Sequence, residues 1–222
     1  MSAAVLLVSP LVFAHGVAED DAAFIEGVSG VHLLPFLYLG AKHMVTGYDH
    51  LLFLFGVIFF LYRLKDVGVY VTLFALGHSI TLIAGVLTGV QVNAFVIDAI
   101  IGASVMYKAL DNLGVFSRML RYEPNPRMAT MVFGLCHGLG LATKMLDFEL
   151  GKNGLLENLL AFNVGVEIGQ FLALCVIIIA MSFWRRSASF MRYATAANVL
   201  LLLSGVALVI YQVKGYVTAL PA

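Results

Sequence analysis

Two histidines and an aspartate, His43, Asp49 and His50, stand at the head of one of the most apolar runs in the chain, which continues without a charge from Leu51 to Leu61. On a helix of 3.6 residues per turn, positions seven apart return to nearly the same face, so both imidazoles are expected to point one way. Imidazole and carboxylate are the ligand types that divalent transition metals prefer. Burying them in hydrocarbon is costly, so an ionisable residue inside a membrane span is a functional candidate by default. Three further runs carry such residues. They are Leu76-Gly77-His78-Ser79-Ile80-Thr81, Gly134-Leu135-Cys136-His137-Gly138-Leu139-Gly140, and Asn163-Val164-Gly165-Val166-Glu167-Ile168-Gly169-Gln170. In the last, Asn163, Glu167 and Gln170 recur at i, i+4 and i+7 and share a face.

The surroundings of these residues say what must position them. The chain has 222 residues, 61% hydrophobic and 12% charged, with formal net charge +0 and mean hydropathy +0.97. Soluble domains carry about 25% charged residues, so the partner of most of this surface is a lipid bilayer. Without a basic excess or a long basic run, nucleic acid is excluded as a partner. Cys136 and Cys175 both sit in apolar segments and do not make a disulfide framework.

A spanning helix needs about 20 apolar residues. Six stretches qualify: 43–62, 67–88, 93–113, 128–146, 157–183 and 193–213. The expected fold is therefore all-α, a polytopic bundle of six transmembrane helices in residues 43–222. Residues 1–14 read as a signal peptide, with Val12 and Ala14 at the small-residue positions before the cut. Residues 15–42 read as a periplasmic tail, acidic at Glu19, Asp20, Asp21 and Glu26, followed by an interfacial helix around Val31–Ala41. The basic residues Arg63 and Lys65, then Arg118, Arg121 and Arg127, then Arg185, Arg186 and Arg192, all fall on one side. That side is the cytoplasm, which places the N-terminus in the periplasm. Three spans plus three would accommodate an inverted repeat, although no sequence repeat is evident.

Counting at 1.5 Å per residue puts His50 about 10 Å below the outer surface, His78 and His137 about 15 Å, and Glu167 about 10–15 Å. Asp98 also falls in the outer half. Each residue has a bland reading: His78 as an interhelical hydrogen-bonding group, the nearby glycines as packing positions, Cys136 as packing, Lys144 snorkelling to the outer surface, and Asp111 paired with Lys108. Jointly the bland reading weakens, because each isolated charge at mid-bilayer costs about 2.5–3.5 kcal/mol. The expected metal site has His43 at its mouth and Asp49, His50, His78, His137 and Glu167 within, with Asp98 and Asn163 as weaker members. Cleavage after Ala14 would expose His15 as a first residue able to chelate copper or nickel.

Four blocks resemble the second subgroup of the HupE/UreJ family of bacterial membrane proteins. They are Gly47-Tyr48-Asp49-His50-Leu51-Leu52-Phe53-Leu54-Phe55-Gly56, Gly77-His78-Ser79-Ile80-Thr81-Leu82, Phe133 to Gly140 and Phe162 to Gln170. The resemblance implies a nickel or cobalt uptake permease of the bacterial inner membrane rather than an enzyme. His43, Asp49 and His50 match its first motif, His137 its histidine-glycine motif, and Glu167 its acidic position. Copper and zinc remain alternative ions, and a second copy of the chain or a metalloenzyme maturation system are the protein partners to consider. Other functions stay open: a copper-handling or metallocentre-assembly accessory protein, a haem-bearing electron carrier using His78 and His137, or an intramembrane enzyme, either a hydrolase using Ser79 or a non-haem iron oxygenase.

Overall fold

The computed structural model describes residues 30–119, 125–146 and 153–220. The expected signal peptide, His15, the acidic tail, Arg121 and the 147–152 connection lie outside them. All regular structure among the described residues is helical: α1 (Leu33–Thr46), α2 (Tyr48–Ile58), α3 (Leu64–Thr88), α4 (Ala94–Asn112), a short α5 (Val115–Met119), α6 (Pro126–Leu146), α7 (Leu155–Arg185) and α8 (Ser189–Ala219). Four of these, α3, α6, α7 and α8, are long and apolar enough to cross a membrane. Helix α4 has 19 residues but carries Asp98, Lys108 and Asp111.

The expected continuous helix over 43–62 is corrected. The chain breaks at Gly47, which adopts φ −71° and ψ 102°, so α1 ends one turn after His43 and α2 starts afresh at Tyr48. Glycine costs about 1 kcal/mol in a helix interior relative to alanine. Asp49 then lies in the first turn of α2, where the positive end of the helix dipole favours a carboxylate. The supposed interfacial helix is likewise no separate piece. It is the first half of α1, and a domain boundary at 42/43 would cut that helix.

Helices pack in pairs held by glycine. Along α1 and α7, which run parallel, a Cβ on Gly40 would collide with the Phe162 carbonyl, one on Gly165 with that of Leu37, and one on Gly169 would lie 2.6 Å from that of Ala41. Along α3 and α6, also parallel, a Cβ on Gly134 would strike the Phe74 carbonyl and one on Gly138 the His78 carbonyl, while one on Gly77 would be 2.5 Å from that of Met131. Helices α4 and α8 run antiparallel, with Gly102 against Leu208 and Gly205 against Met106. Small residues are what let backbones come this close. The short α2 sits among the pairs and touches α1, α3, α4, α6, α7 and α8.

Polar anchors fix the ends. The Asn158 side chain accepts from the His32 backbone N–H (2.7 Å) and donates to the Gly30 carbonyl (2.9 Å), tying the start of α1 to α7. At the other end of α2, Arg185 donates to the Ile58 and Phe59 carbonyls, groups that a helix C-terminus leaves without an internal partner. Asn112 donates to the Gly56 carbonyl (2.8 Å) and to Asn198 (2.9 Å), joining α2, α4 and α8. Lys108 pairs with Asp111 as expected. Lys144 does not snorkel: its ammonium meets Asp98 at 2.7 Å.

Gly138→Ala should destabilise the protein by about 1–3 kcal/mol, the usual cost of overpacking, whereas Gly68→Ala, inside α3 where an added methyl meets nothing within 4 Å, should stabilise it by up to about 1 kcal/mol. Thermal unfolding of both variants in detergent checks this.

Candidate metal centre

Four imidazoles converge where α1, α2, α3 and α6 meet. The His43 and His50 ring centroids are 5.1 Å apart, those of His50 and His137 4.9 Å, and those of His50 and His78 6.2 Å. Ligating atoms of His43, His50 and His78 all lie within 4.8 Å of one another. Nitrogens held at about 2.0–2.1 Å from one ion stand no more than about 4.2 Å apart, so small side-chain adjustments suffice to close the three around a cation. His50, His78 and His137 are each 1% exposed. Neither ring nitrogen of His78 has a hydrogen-bond partner among the described residues. That is an expensive arrangement for a side chain with no ligand.

Each histidine is placed by backbone geometry rather than by its own bonds. His78 and His137 follow from the glycine contacts of α3 and α6, since the carbonyl of His78 itself packs against Gly138. His43 and His50 meet although the helix breaks between them. The extended residue at Gly47 turns α2 relative to α1, and His50 falls in the first turn of the new helix. His43 is accordingly a member of the cluster rather than its mouth, about 15 Å along α1 from Leu33.

Asp49 acts on the centre through His50. Its Oδ1 is 3.1 Å from His50 Nδ1, and the carboxylate is 1% exposed. An ionised carboxylate only accepts, and in that form of Asp49 His50 Nδ1 donates and Nε2 is the nitrogen able to ligate. Carboxylate–histidine pairing of this kind orients metal-binding imidazoles and raises their basicity. Phenylalanines wall the cluster. The Phe74 ring centroid is 4.9 Å from that of His137 and 6.3 Å from that of His78, Phe53 is 6.0 Å from His137, and Phe162 is 6.1 Å from His43. The dry walls strengthen any charge interaction inside.

Three expected members are not brought in. Glu167 is exposed, in a groove of about 440 Å³ between α3 and α7, beside Ser79, Asn163 and Gln170. The reason is rotational. Gly165 and Gly169 must face α1, and Glu167, two residues from each, is turned roughly 200° away. Asn163 is engaged with the Ser79 hydroxyl at 2.8–3.0 Å. Asp98 is paired with Lys144. Sequence reasoning missed the break at Gly47, and the Gly47-Tyr48-Asp49 order, an acid just after a glycine, is the signal that marks a new helix start.

A family model described as HupE / UreJ protein matches residues 19–220, nearly the whole chain, and the chain belongs to that family. The family is associated with nickel and cobalt transport or with urease and hydrogenase maturation, and it is not a known enzyme family. No curated protein and no solved structure matches the chain.

A Cβ at Gly47 would lie 2.6 Å from His50 Nδ1 and 3.1 Å from Asp49 Oδ1. Gly47→Ala should therefore displace the His50–Asp49 pair and weaken nickel binding by about 10–100-fold, the range for disturbed partners of metal ligands. Helix content by circular dichroism should be unchanged. Calorimetric titration of the purified variant is the check.

Proposed function

On the premise of that family membership, we propose that the chain is a divalent-metal uptake permease of the bacterial inner membrane, with nickel or cobalt as its substrate. The observation that carries the reading is the convergence of His43, His50 and His78 within 4.8 Å inside an apolar bundle, with His137 beside them. Imidazole nitrogens favour nickel and cobalt over magnesium and calcium, which take oxygen ligands. Asp49 supplies negative charge against the dication and holds the His50 tautomer. In this reading α1 and α2 together form the first of six spans, α4 the third, and the N-terminus is periplasmic after removal of residues 1–14.

A span interrupted at the binding site is a recurring feature of transporters, because freed backbone and helix ends can then face the substrate. Inward movement of a doubly charged ion gains about 4.6 kcal/mol per 100 mV of membrane potential, twice the single-charge value. No coupling ion is required for accumulation.

The packing disfavours a haem carrier and a hydrolase built on Ser79. A haem between His78 and His137 would have to displace His50 and Phe74, whose rings contact both. Ser79 donates to the Ala75 carbonyl and pairs with Asn163, so its proton is committed to structural bonds rather than to the base that activates a nucleophile.

In cells stripped of other nickel importers, Asp49→Asn should lower uptake by about 10–100-fold, and His50→Ala should abolish it, with both proteins inserted normally. Undiminished uptake by a correctly inserted Asp49→Asn protein would remove the site from the pathway.

A further inference from the structure

A second buried charged group stands outside the histidine cluster. Lys144 Nζ and Asp98 Oδ2 are 2.7 Å apart, with the side chains only 17% and 8% exposed. Asp98 Oδ1 is buried and has no hydrogen-bond partner among the described residues. Lys144 follows His137 by seven residues on α6, hence on nearly the same face and about 10 Å nearer the helix C-terminus. Between them Gly140 lets α6 pack closely on α4 beside the carboxylate: a Cβ there would lie 2.8 Å from Ile97 Cγ2 and 3.8 Å from Asp98 Oδ1. The backbone N–H of Val92, at the head of α4, donates to Thr143 (3.4 Å), holding the ends of α4 and α6 together around the pair. Lys144 is within electrostatic reach of His43 and His137, and Asp49 within reach of Asp98.

Stability is a weak reason for such a pair. Desolvating two charges offsets most of their attraction, and apolar replacements of buried pairs are often neutral or better. The position suggests a different use. The pair stands between the cluster and the ends of α4 and α6 at Asn93 and Leu146, the side from which an imported ion would come. A fixed ammonium there repels a dication, but it also occupies Asp98, which besides Asp49 is the only buried carboxylate among the described residues. Lys144 lies two residues from the end of α6, and its four-carbon stem can carry the charge out to water.

We propose that Asp98 is a transient outer site for the incoming divalent cation and that Lys144 is its tethered occupant, released toward solvent when the ion takes its place. The inference rests on the uptake reading above. It concerns entry to the histidine cluster, not the cluster itself. In the exchange Asp98 trades an ammonium for a dication, so the site carries one more positive charge while the ion is held, and no group is oxidised or cleaved.

Opposite signs distinguish this role from a structural clamp. Initial rates of nickel uptake measured against nickel concentration should give a KM lowered severalfold in Lys144→Met, where the competing ammonium is gone. In Asp98→Asn the ammonium has no counter-charge, and KM should rise on the order of tenfold, the size of one close charged contact. The double variant Asp98→Asn/Lys144→Met should fall between the two. Melting temperatures of the purified variants identify any that fold poorly, and Lys144→Gln stands in if Lys144→Met does. KM values that shift the same way in both single variants, or in neither, would overturn the gate while leaving the permease standing. Uptake by the unaltered chain no greater than by His50→Ala would overturn both.

Discussion

Two helix backbones can touch only where no Cβ stands between them, and the bundle depends on that contact in each of its helix pairs. Gly77, Gly134 and Gly138 bring α3 onto α6, and Gly40, Gly165 and Gly169 bring α1 onto α7. Hydrocarbon offers no hydrophobic drive for helices to associate, so close packing of this kind must supply the cohesion. The consequences are chemical as well as mechanical. Backbone contact at His78 and Gly138 sets His78 and His137 on either side of one seam, and contact along α1 carries His43 to the same depth. The imidazoles are gathered by glycines that themselves bind nothing.

The fourth partner arrives through a defect. A straight first span would carry His50 onward with His43 on a single cylinder. The break at Gly47 instead creates a short helix, α2, central enough to touch six others. Its first turn holds Asp49 and His50. Its last carbonyls, at Ile58 and Phe59, are satisfied by Arg185 from α7, and the Gly56 carbonyl by Asn112 from α4. A helix of 11 residues persists in an apolar setting because neighbours complete its hydrogen bonding. The dry phenylalanine walls then make Asp49 effective at orienting His50, since water does not screen the contact.

Much of this was readable from residue order alone, and the rest was not for definite reasons. Apolar runs of sufficient length located α3, α4, α6, α7 and α8 to within a few residues, because hydropathy and length are the constraints a bilayer imposes. Counting rise per residue placed His50, His78 and His137 in one slab, since depth depends only on helix geometry. Facing does not. The i, i+4, i+7 pattern correctly put Asn163, Glu167 and Gln170 on one side of α7 but carried no information on which neighbour that side meets, and Glu167 opens to a lateral groove. Lys144, near a helix end, reads as a surface residue. Its partner Asp98 depends on α4 lying beside α6, a tertiary fact with no local signature. Gly47 was hidden by an apolar run that reads as continuous.

The central claim is that imidazoles from separate helices share one cation, and X-ray absorption spectroscopy of the nickel-loaded protein in detergent tests it most directly. The account predicts a nickel shell with at least three nitrogen ligands showing imidazole multiple scattering, falling by one in His78→Ala. A shell of oxygen ligands alone, or one unchanged by His78→Ala in a folded protein, would contradict it.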